Sequence, residues 1–148
     1  MAERTERAVL NRLIERCRDA ERGFRLAAGE ARDPDLRTRL ERLADERHRF
    51  AEQLLLHAYR LGGASTAEGS RLATLHRGWI LLRSELALNH DRALLHEAAR
   101  GERFAAAAYD HAWHELVLPD ARELVSAQES SVRATRDELE AALHASRN

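Results

Sequence analysis

The chain has 148 residues, enough for one domain with a hydrophobic core, and its composition is 44% hydrophobic, 33% charged and only 5% aromatic. All 24 basic side chains are Arg, and a net charge of -1 argues against a nucleic-acid-binding surface or a basic membrane-binding face. The single cysteine excludes an internal disulfide and a thiolate-rich zinc site. Because no apolar run is long enough for a membrane span and the N-terminal residues lack the apolar core of a signal peptide, we expect a cytoplasmic protein.

Hydrophobic periodicity predicts an all-α protein, because apolar residues recur at three- and four-residue spacing and no strand pattern is present. Asp33 and Pro34 mark the boundary between the first two helices, since Asp is a good N-cap and Pro is favoured at the first helical position. Gly62 suits the end of the second helix, and Pro119 marks the start of the last one. The predicted long helices cover residues 3–31, 35–61, 90–117 and 119–146 of a single domain, 1–148, with a shorter helix over 70–87.

An internal repeat of 85 residues relates the two halves of the chain. The shift places Pro34 on Pro119 and Phe24 on Tyr109, so the first two and the last two long helices resemble two copies of one helical hairpin. The helix predicted over 70–87 would span roughly 26 Å and return the chain along the bundle. This makes the second and third long helices parallel. Two hairpins joined by a long crossover form the ferritin-like four-helix bundle.

Arg47 falls on the predicted buried face of the second long helix, near its middle. The apolar members of that face are Leu36, Leu40, Leu43, Phe50, Leu54 and Leu61. A charge at such a position has to form an ion pair, reach the solvent past its neighbours, or belong to a functional site. Arg47 is therefore the first candidate functional residue.

Five stretches of the chain carry a family resemblance. They are LNRLIERCRDAERGFRLAA (10–28), the Asp33-Pro34 turn, RHRFAEQL (47–54), LHRGW (75–79) and GERFAAAAYDHA (101–112). Together they resemble a bacterial ferritin-like family of four-helix-bundle proteins of unknown function, distant kin of ferritins and rubrerythrins. The resemblance covers essentially the whole chain and implies a fold, but it implies no established activity.

The resemblance also implies where the ligands of a di-iron centre would lie. Such a centre takes a Glu from each of the first and third helices and a Glu-x-x-His pair from each of the second and fourth. The matching positions of this chain are Cys17, Arg47, Phe50, Glu102, Val132 and Thr135. Of these six residues, only Glu102 is of the type that its position requires. Arg47 puts a fixed positive charge where a metal would lie. The resemblance therefore implies a lost di-metal centre, without catalytic residues or a cofactor.

Arg47 and Glu102 are expected to meet in a mid-bundle polar network. Both lie near the middle of their helices and face inward, so we predict a buried or half-buried ion pair that fills the vacated site. The alternative is that Arg47 reaches the solvent between helices while Glu102 bonds to a hydroxyl group or to water. Gln128 and Thr135 are the polar residues of the fourth helix that would join this network.

A second group of side chains leaves a metal-binding alternative open. Asp45 and His48 have the spacing of a ligand motif, although their positions on the helix point away from the buried face. With Glu21, Glu102 and Glu129 they make up a shifted site for iron or another divalent metal. In that alternative the protein is a redox or iron-handling relative of ferritin.

One further motif, which the four-helix bundle does not account for, consists of His76, Arg77 and Trp79. In one interpretation Trp79 covers the apolar seam between helices; in the alternative, the segment lines a groove for a small molecule or a protein partner. The apolar run 80–82 of the same segment favours a homodimer through that face.

The sequence favours a protein that acts through its surface. No Gly-rich phosphate loop and no Ser-His-Asp set is present, so hydrolase and nucleotide-binding activities have no support. We expect a non-catalytic binding, interaction or stress-associated protein whose partner is a protein or a small molecule. The stress association rests on the family resemblance alone.

Overall fold

The computed structural model describes residues 2–62 and 90–145, which form four long helices. These are α1 (Ala2–Glu30), α2 (Pro34–Arg60), α3 (His90–Glu115) and α4 (Pro119–Ala145). Their ends lie within two residues of the predicted ends, and the described ranges contain no strand. The helix predicted over 70–87, with His76, Arg77, Trp79 and the run 80–82, lies outside the described residues.

Both ends of α2 follow from local signals. The backbone of Asp33 is extended, and its side chain accepts a hydrogen bond of 3.1 Å from the backbone N–H of Asp35, with Pro34 at the start of the helix. At the other end Gly62 has a φ of 104°, in the left-handed region that favours glycine. Its backbone N–H donates to the carbonyl of Tyr59, which closes the last turn.

The helices pair as two antiparallel hairpins, α1 with α2 and α3 with α4, and packing is closer within each hairpin than between them. Across the two hairpins, α1 lies against α3. Arg12, early in α1, forms an ion pair with Glu115 at the end of α3, and Cys17 lies 3.1 Å from Tyr109 further along. The two helices therefore run antiparallel.

On the other side of the bundle, α2 lies against α4. Arg39 forms an ion pair of 3.1 Å with Glu138, and the backbone carbonyl of Phe50 accepts a hydrogen bond from Gln128. These contacts make α2 antiparallel to α4. It follows that α2 and α3 are parallel and lie diagonally opposite each other, with the end of α2 and the start of α3 at opposite ends of the bundle.

Each hairpin supplies one carboxylate that accepts hydrogen bonds from the turn of the other hairpin. Glu6, near the start of α1, accepts hydrogen bonds from the two backbone N–H groups of residues 117–118, in the turn between α3 and α4. At the opposite end, Asp91 at the start of α3 accepts hydrogen bonds of 2.9 and 2.8 Å from those of residues 32–33, in the turn between α1 and α2. Glu6 is only 1% exposed, and these bonds account for its burial.

Within residues 2–62 and 90–145, the buried apolar side chains form two clusters, one towards each end of the bundle. Leu10 and Leu54 belong to one cluster and Leu40 and Leu94 to the other, all of them fully buried. Leu61, which was predicted on the buried face of α2, is only partly buried because the helix ends at Arg60. None of the described helices combines the length and the hydropathy that crossing a membrane requires.

Candidate functional site: a polar layer at the middle of the bundle

A polar layer separates the two apolar clusters. Arg47 projects from α2 between Leu43 and Phe50, and Glu102 projects from α3 between Ala98 and Ala106. Both occupy inward positions of their helices, because apolar neighbours three and four residues away are buried on the same face. Each charged side chain is only 1% exposed. The two meet across the diagonal of the bundle and join one hairpin to the other.

Arg47 and Glu102 form a bidentate ion pair. Nη1 of Arg47 donates to Oε1 of Glu102 at 3.1 Å, and Nη2 donates to Oε2 at 2.5 Å. The guanidinium carbon also lies 5.6 Å from the ring centroids of both Phe24 and Phe50, so two aromatic faces surround the charge. The structure brings together the two residues predicted to pair, and Arg47 does not reach the solvent.

Among the described residues, two buried polar atoms beside the ion pair have no hydrogen-bond partner. They are Nε of Arg47 and Oε1 of Glu46. Oε1 of Glu46 lies 3.6 Å from Nη2 of Arg47, which is an ion-pair distance but too long for a hydrogen bond. Arg47 therefore faces two carboxylates and is hydrogen bonded to one of them.

Burial raises the pKa of Glu102 to about 7, because desolvation of its charged form outweighs the attraction of Arg47. The neighbouring charge of Glu46 raises this pKa as well, while the hydrogen bonds from Arg47 lower it. Glu102 therefore titrates near neutral pH, although it is held in an ion pair.

A second chain of hydrogen bonds lies about one to two helical turns from the ion pair along the bundle, within one of the two apolar clusters. The side-chain nitrogen of Gln128 donates to the backbone carbonyl of Phe50 at 3.3 Å and to the side-chain oxygen of Gln53 at 3.0 Å, so the Gln128 oxygen is an acceptor. The hydroxyl of Tyr109 donates to that oxygen at 2.7 Å. Because Tyr109 has a single proton to donate, the Cys17 thiol, 3.1 Å away, is the donor to the Tyr109 oxygen.

Cys17 is held as a neutral thiol. Burial raises its pKa to about 11, which outweighs the lowering effects of the hydrogen bond with Tyr109 and of the charge on Arg47. Burial likewise raises the pKa of Tyr109 well above its ordinary value. A nucleophilic cysteine requires the thiolate, so this chain of hydrogen bonds is not arranged for nucleophilic chemistry.

The α4 positions of the implied metal centre do not complete the polar layer. Val132 is fully buried in an apolar cluster. Thr135 is 8% exposed, but no hydrogen bond joins it to Arg47, Glu102 or Gln128 in the described structure, and it lines a groove between α2 and α4 instead. Its place in a network with Gln128 stays a prediction, and the two residues lie about two turns apart along α4.

The residues of the alternative metal site are dispersed among separate ion pairs. Glu21 and Asp45 both pair with Arg25, and Glu129 pairs with Arg133. The remaining carboxylate of that set is the one that binds Arg47. Within residues 2–62 and 90–145, no three His, Cys, Asp or Glu side chains are grouped so that they could hold a metal ion.

His48 lies in an exposed cluster with two carboxylates. Its Nδ1 is 3.2 Å from Glu21, and its Nε2 is 3.2 Å from Glu52. The two ring nitrogens point in different directions, so the two carboxylates cannot join His48 around a single ion. The imidazole is 53% exposed, as expected from its position away from the buried face.

Two carboxylates that organise the bundle were missed at the sequence level. Glu6 lies four residues before Leu10 on the apolar face of α1, just as Arg47 lies four residues after Leu43 on α2. This placement was an available signal. Asp91 gave no such signal, because a carboxylate in the first turn of a helix is common on the surface.

The chain matches the model of a protein family with the description "Domain of unknown function (DUF2383)" over residues 5–115. The match covers about three quarters of the chain and includes nearly all of α1, all of α2 and α3, and the residues between α2 and α3. No curated protein matches the chain.

Proposed function

The chain belongs to the family described as Domain of unknown function (DUF2383), and we propose that it is a ferritin-like bundle without a metal centre that acts by binding. In this proposal an ion pair between Arg47 and Glu102 has replaced the di-metal centre, and the protein is a non-catalytic interaction or stress-associated protein. The observation that carries the proposal is the buried guanidinium of Arg47 at the middle of the bundle.

The contacts of the two turns support an origin from a duplicated hairpin. Asp91 follows Glu6 by 85 residues. The turn that Glu6 binds, 117–118, likewise follows the turn that Asp91 binds, 32–33, by 85 residues. Residues related by the repeat therefore make equivalent contacts at opposite ends of the bundle. This reciprocity, together with the parallel course of α2 and α3, favours the ferritin-like topology over a simple up-down-up-down bundle.

The side chains of the polar layer do not fit a pair of metal ions. A ferritin-like centre uses about four carboxylates and two imidazoles. Of the residues at the six implied ligand positions, only Glu102 has a side chain of the required type. A guanidinium does not lose its proton in proteins, so Arg47 cannot become a ligand. Its charge would also repel a cation placed beside Glu102.

The remaining buried groups support a non-catalytic protein. Cys17 is a neutral thiol that is 2% exposed, and Glu102 is enclosed against Arg47. A general acid or base has to come within hydrogen-bonding distance of its substrate. Neither group has that access, so the surface of the bundle is the part available to a partner.

Metal analysis tests the proposal. The chain is purified after growth with added iron, manganese and zinc, and its metal content is measured by mass spectrometry for wild type, Glu102→Gln and the matched control Glu41→Gln, an exposed position on α2. We expect well below one metal ion per chain in all three proteins. We also expect Fe(II) to be oxidised no faster with the protein than in buffer alone.

The opposite result would favour the iron-handling alternative. Binding of about two metal ions per chain, as in a di-iron protein, that is lost in Glu102→Gln and kept in Glu41→Gln would contradict the proposal. Catalysed oxidation of Fe(II) that follows the same pattern of variants would contradict it too.

A further inference from the structure

α2 and α4 leave a groove between them. These helices pack less closely than the other neighbouring pairs of the bundle, and the space between them measures about 630 Å³, within the range of small-molecule sites. One stretch of this groove is lined by Arg39, Arg42 and Leu43 of α2 and by Ala134, Thr135 and Glu138 of α4.

Arg42 and Thr135 lie opposite each other in this stretch. α2 and α4 run antiparallel, and the ion pair of 3.1 Å between Arg39 and Glu138 fixes their register. Arg42 lies three residues after Arg39 along α2. Thr135 lies three residues before Glu138 along α4, so it is at the level of Arg42 in the antiparallel pair. A ligand between the two helices at this level meets both side chains.

Thr135 presents a hydroxyl group that lacks a hydrogen-bond partner. The residue is only 8% exposed, and none of the described residues forms a hydrogen bond with its hydroxyl. Unlike Oε1 of Glu46, its oxygen is not closed off from the groove. A polar group at a buried position is unfavourable while it is unpaired, so a ligand that bonds to this hydroxyl gains stability from it.

Arg42 is an exposed cation whose guanidinium has no ion-pair partner among the described residues. Two of the three carboxylates that line the groove are engaged elsewhere, since Glu138 forms the ion pair above and Oε1 of Glu46 faces the guanidinium of Arg47 at 3.6 Å. The third, Asp35, lies two helical turns before Arg42, about 10 Å along α2. The charge of Arg42 is therefore available to a ligand.

These groups suit a carboxylate. A guanidinium presents parallel N–H donors in a fixed geometry that matches the two oxygens of a carboxylate, and the hydroxyl of Thr135 adds a further donor. One free cation balances one negative charge, whereas a phosphate group carries up to two. Leu43, which is 8% exposed, and Ala134 add an apolar surface for a short alkyl chain.

The geometry points to a binding site for a short-chain monocarboxylate, whose carboxylate group accepts hydrogen bonds from Arg42 and Thr135. Its alkyl chain lies against Leu43 and Ala134. This site goes beyond the proposed function, because it uses neither Glu102 nor a metal. Loss of carboxylate binding would leave the metal analysis unchanged, and the two experiments fail independently.

Titration of the isotopically labelled full chain with sodium butyrate, at neutral pH and constant ionic strength, tests the site by NMR. We expect saturable shifts of the backbone amides of Leu43 and Ala134. Arg42→Gln, at an exposed position that tolerates the change, should weaken binding about tenfold or more, because hydrogen bonds to a charged group are lost. The matched control Arg49→Gln, an exposed position of α2 outside the groove, should bind butyrate as the wild type does.

Thr135→Val replaces the hydroxyl by a methyl group of similar size, so the variant should fold and bind butyrate several-fold more weakly. Butyramide, which has the same alkyl chain in a neutral molecule, should cause no saturable shift. An equal response to butyramide, an undiminished response to butyrate in Arg42→Gln, or no saturable response to butyrate in the wild type would each overturn the proposal.

Discussion

At the residue scale, Glu102 is subject to two opposing influences. The positive charge of Arg47 and its two hydrogen bonds favour the carboxylate, whereas the loss of water favours the carboxylic acid. The second influence is the larger one, so the pKa is raised from 4.5 to about 7. The protonation state of one side chain thus decides whether the interior of the bundle contains an ion pair or an isolated guanidinium.

We expect this shift to appear as a pH dependence of stability. Between pH 4.5 and about 7 the folded protein binds more protons at Glu102 than the unfolded chain does. The contribution of this group to stability is therefore fully present below pH 4.5 and is lost as the pH rises through the folded pKa. The loss amounts to about 3 kcal/mol at most.

Urea denaturation at a series of pH values measures the effect. The free energy of unfolding of wild type, minus that of Glu102→Gln, should fall as the pH rises from 4.5 to about 7 and should be level above that range. Glu41→Gln, an exposed carboxylate on α2, should follow the wild type. Parallel pH profiles for wild type and Glu102→Gln would contradict a raised pKa.

At the scale of the elements, the turn of each hairpin has backbone N–H groups that need hydrogen-bond acceptors. The hairpin to which the turn belongs does not supply these acceptors. Residues 32–33 and 117–118 present consecutive N–H groups, and the carboxylates of Asp91 and Glu6 accept them from the other hairpin. The ends of the helices are therefore satisfied by the docking of the hairpins and not by local sequence alone. The turns and the packing of the bundle depend on each other.

Removing one of these carboxylates should loosen one end of the bundle. Glu6→Gln keeps a single acceptor oxygen and loses the charge, so we expect a loss of about 1–2 kcal/mol in the free energy of unfolding. Amide hydrogen exchange should rise selectively at residues 117–118, and Asp91→Asn should produce the same effect at residues 32–33.

Glu3→Gln is the matched control for Glu6→Gln, because Glu3 is an exposed carboxylate near the start of α1. It should change neither stability nor exchange. A uniform rise in exchange over the whole bundle after Glu6→Gln, or none at residues 117–118, would show that the carboxylate does not act at this turn.

At the scale of the whole molecule, the helices and the central ion pair could be predicted from the sequence because both depend on periodicity. The 3.6-residue repeat places Arg47 and Glu102 on inward faces near mid-helix, and the Asp33-Pro34 turn sets the length of the first hairpin. The parallel course of α2 and α3, which differ in length by one residue, then brings the two mid-helix charges to the same level across the bundle.

Other features could not be predicted because they depend on the rotation and spacing of helices. The position of Thr135 in a groove reflects the wide spacing of α2 and α4, which periodicity does not report. Oε1 of Glu46 has no hydrogen bond within the described part of the chain because Arg47 turns towards Glu102. The role of Glu6 requires knowing which turn lies beside it in the folded bundle, and a single helix does not contain that information.

The diagonal ion pair connects the two hairpins, so its energetics concern the whole fold. Taking both charges out of water costs much of what their attraction supplies, and breaking the pair is worse than replacing it. Arg47→Met leaves Glu102 buried without its partner, and at pH 8 we expect a loss of about 3–5 kcal/mol in the free energy of unfolding. Glu102→Leu, which leaves a buried guanidinium between Phe24 and Phe50, should cost a similar amount.

The double variant Arg47→Met/Glu102→Leu should lie within about 1 kcal/mol of wild type or be more stable, because it buries no charge. Urea denaturation of all four proteins at pH 8 closes the double-mutant cycle. If the double variant loses as much free energy of unfolding as the two single variants together, the two residues do not interact. The central contact between the hairpins would then lie elsewhere. Recovery of stability with poorly dispersed NMR spectra would show instead that the pair contributes to a unique packing of the two hairpins, since apolar substitutes preserve burial without specifying which residues meet.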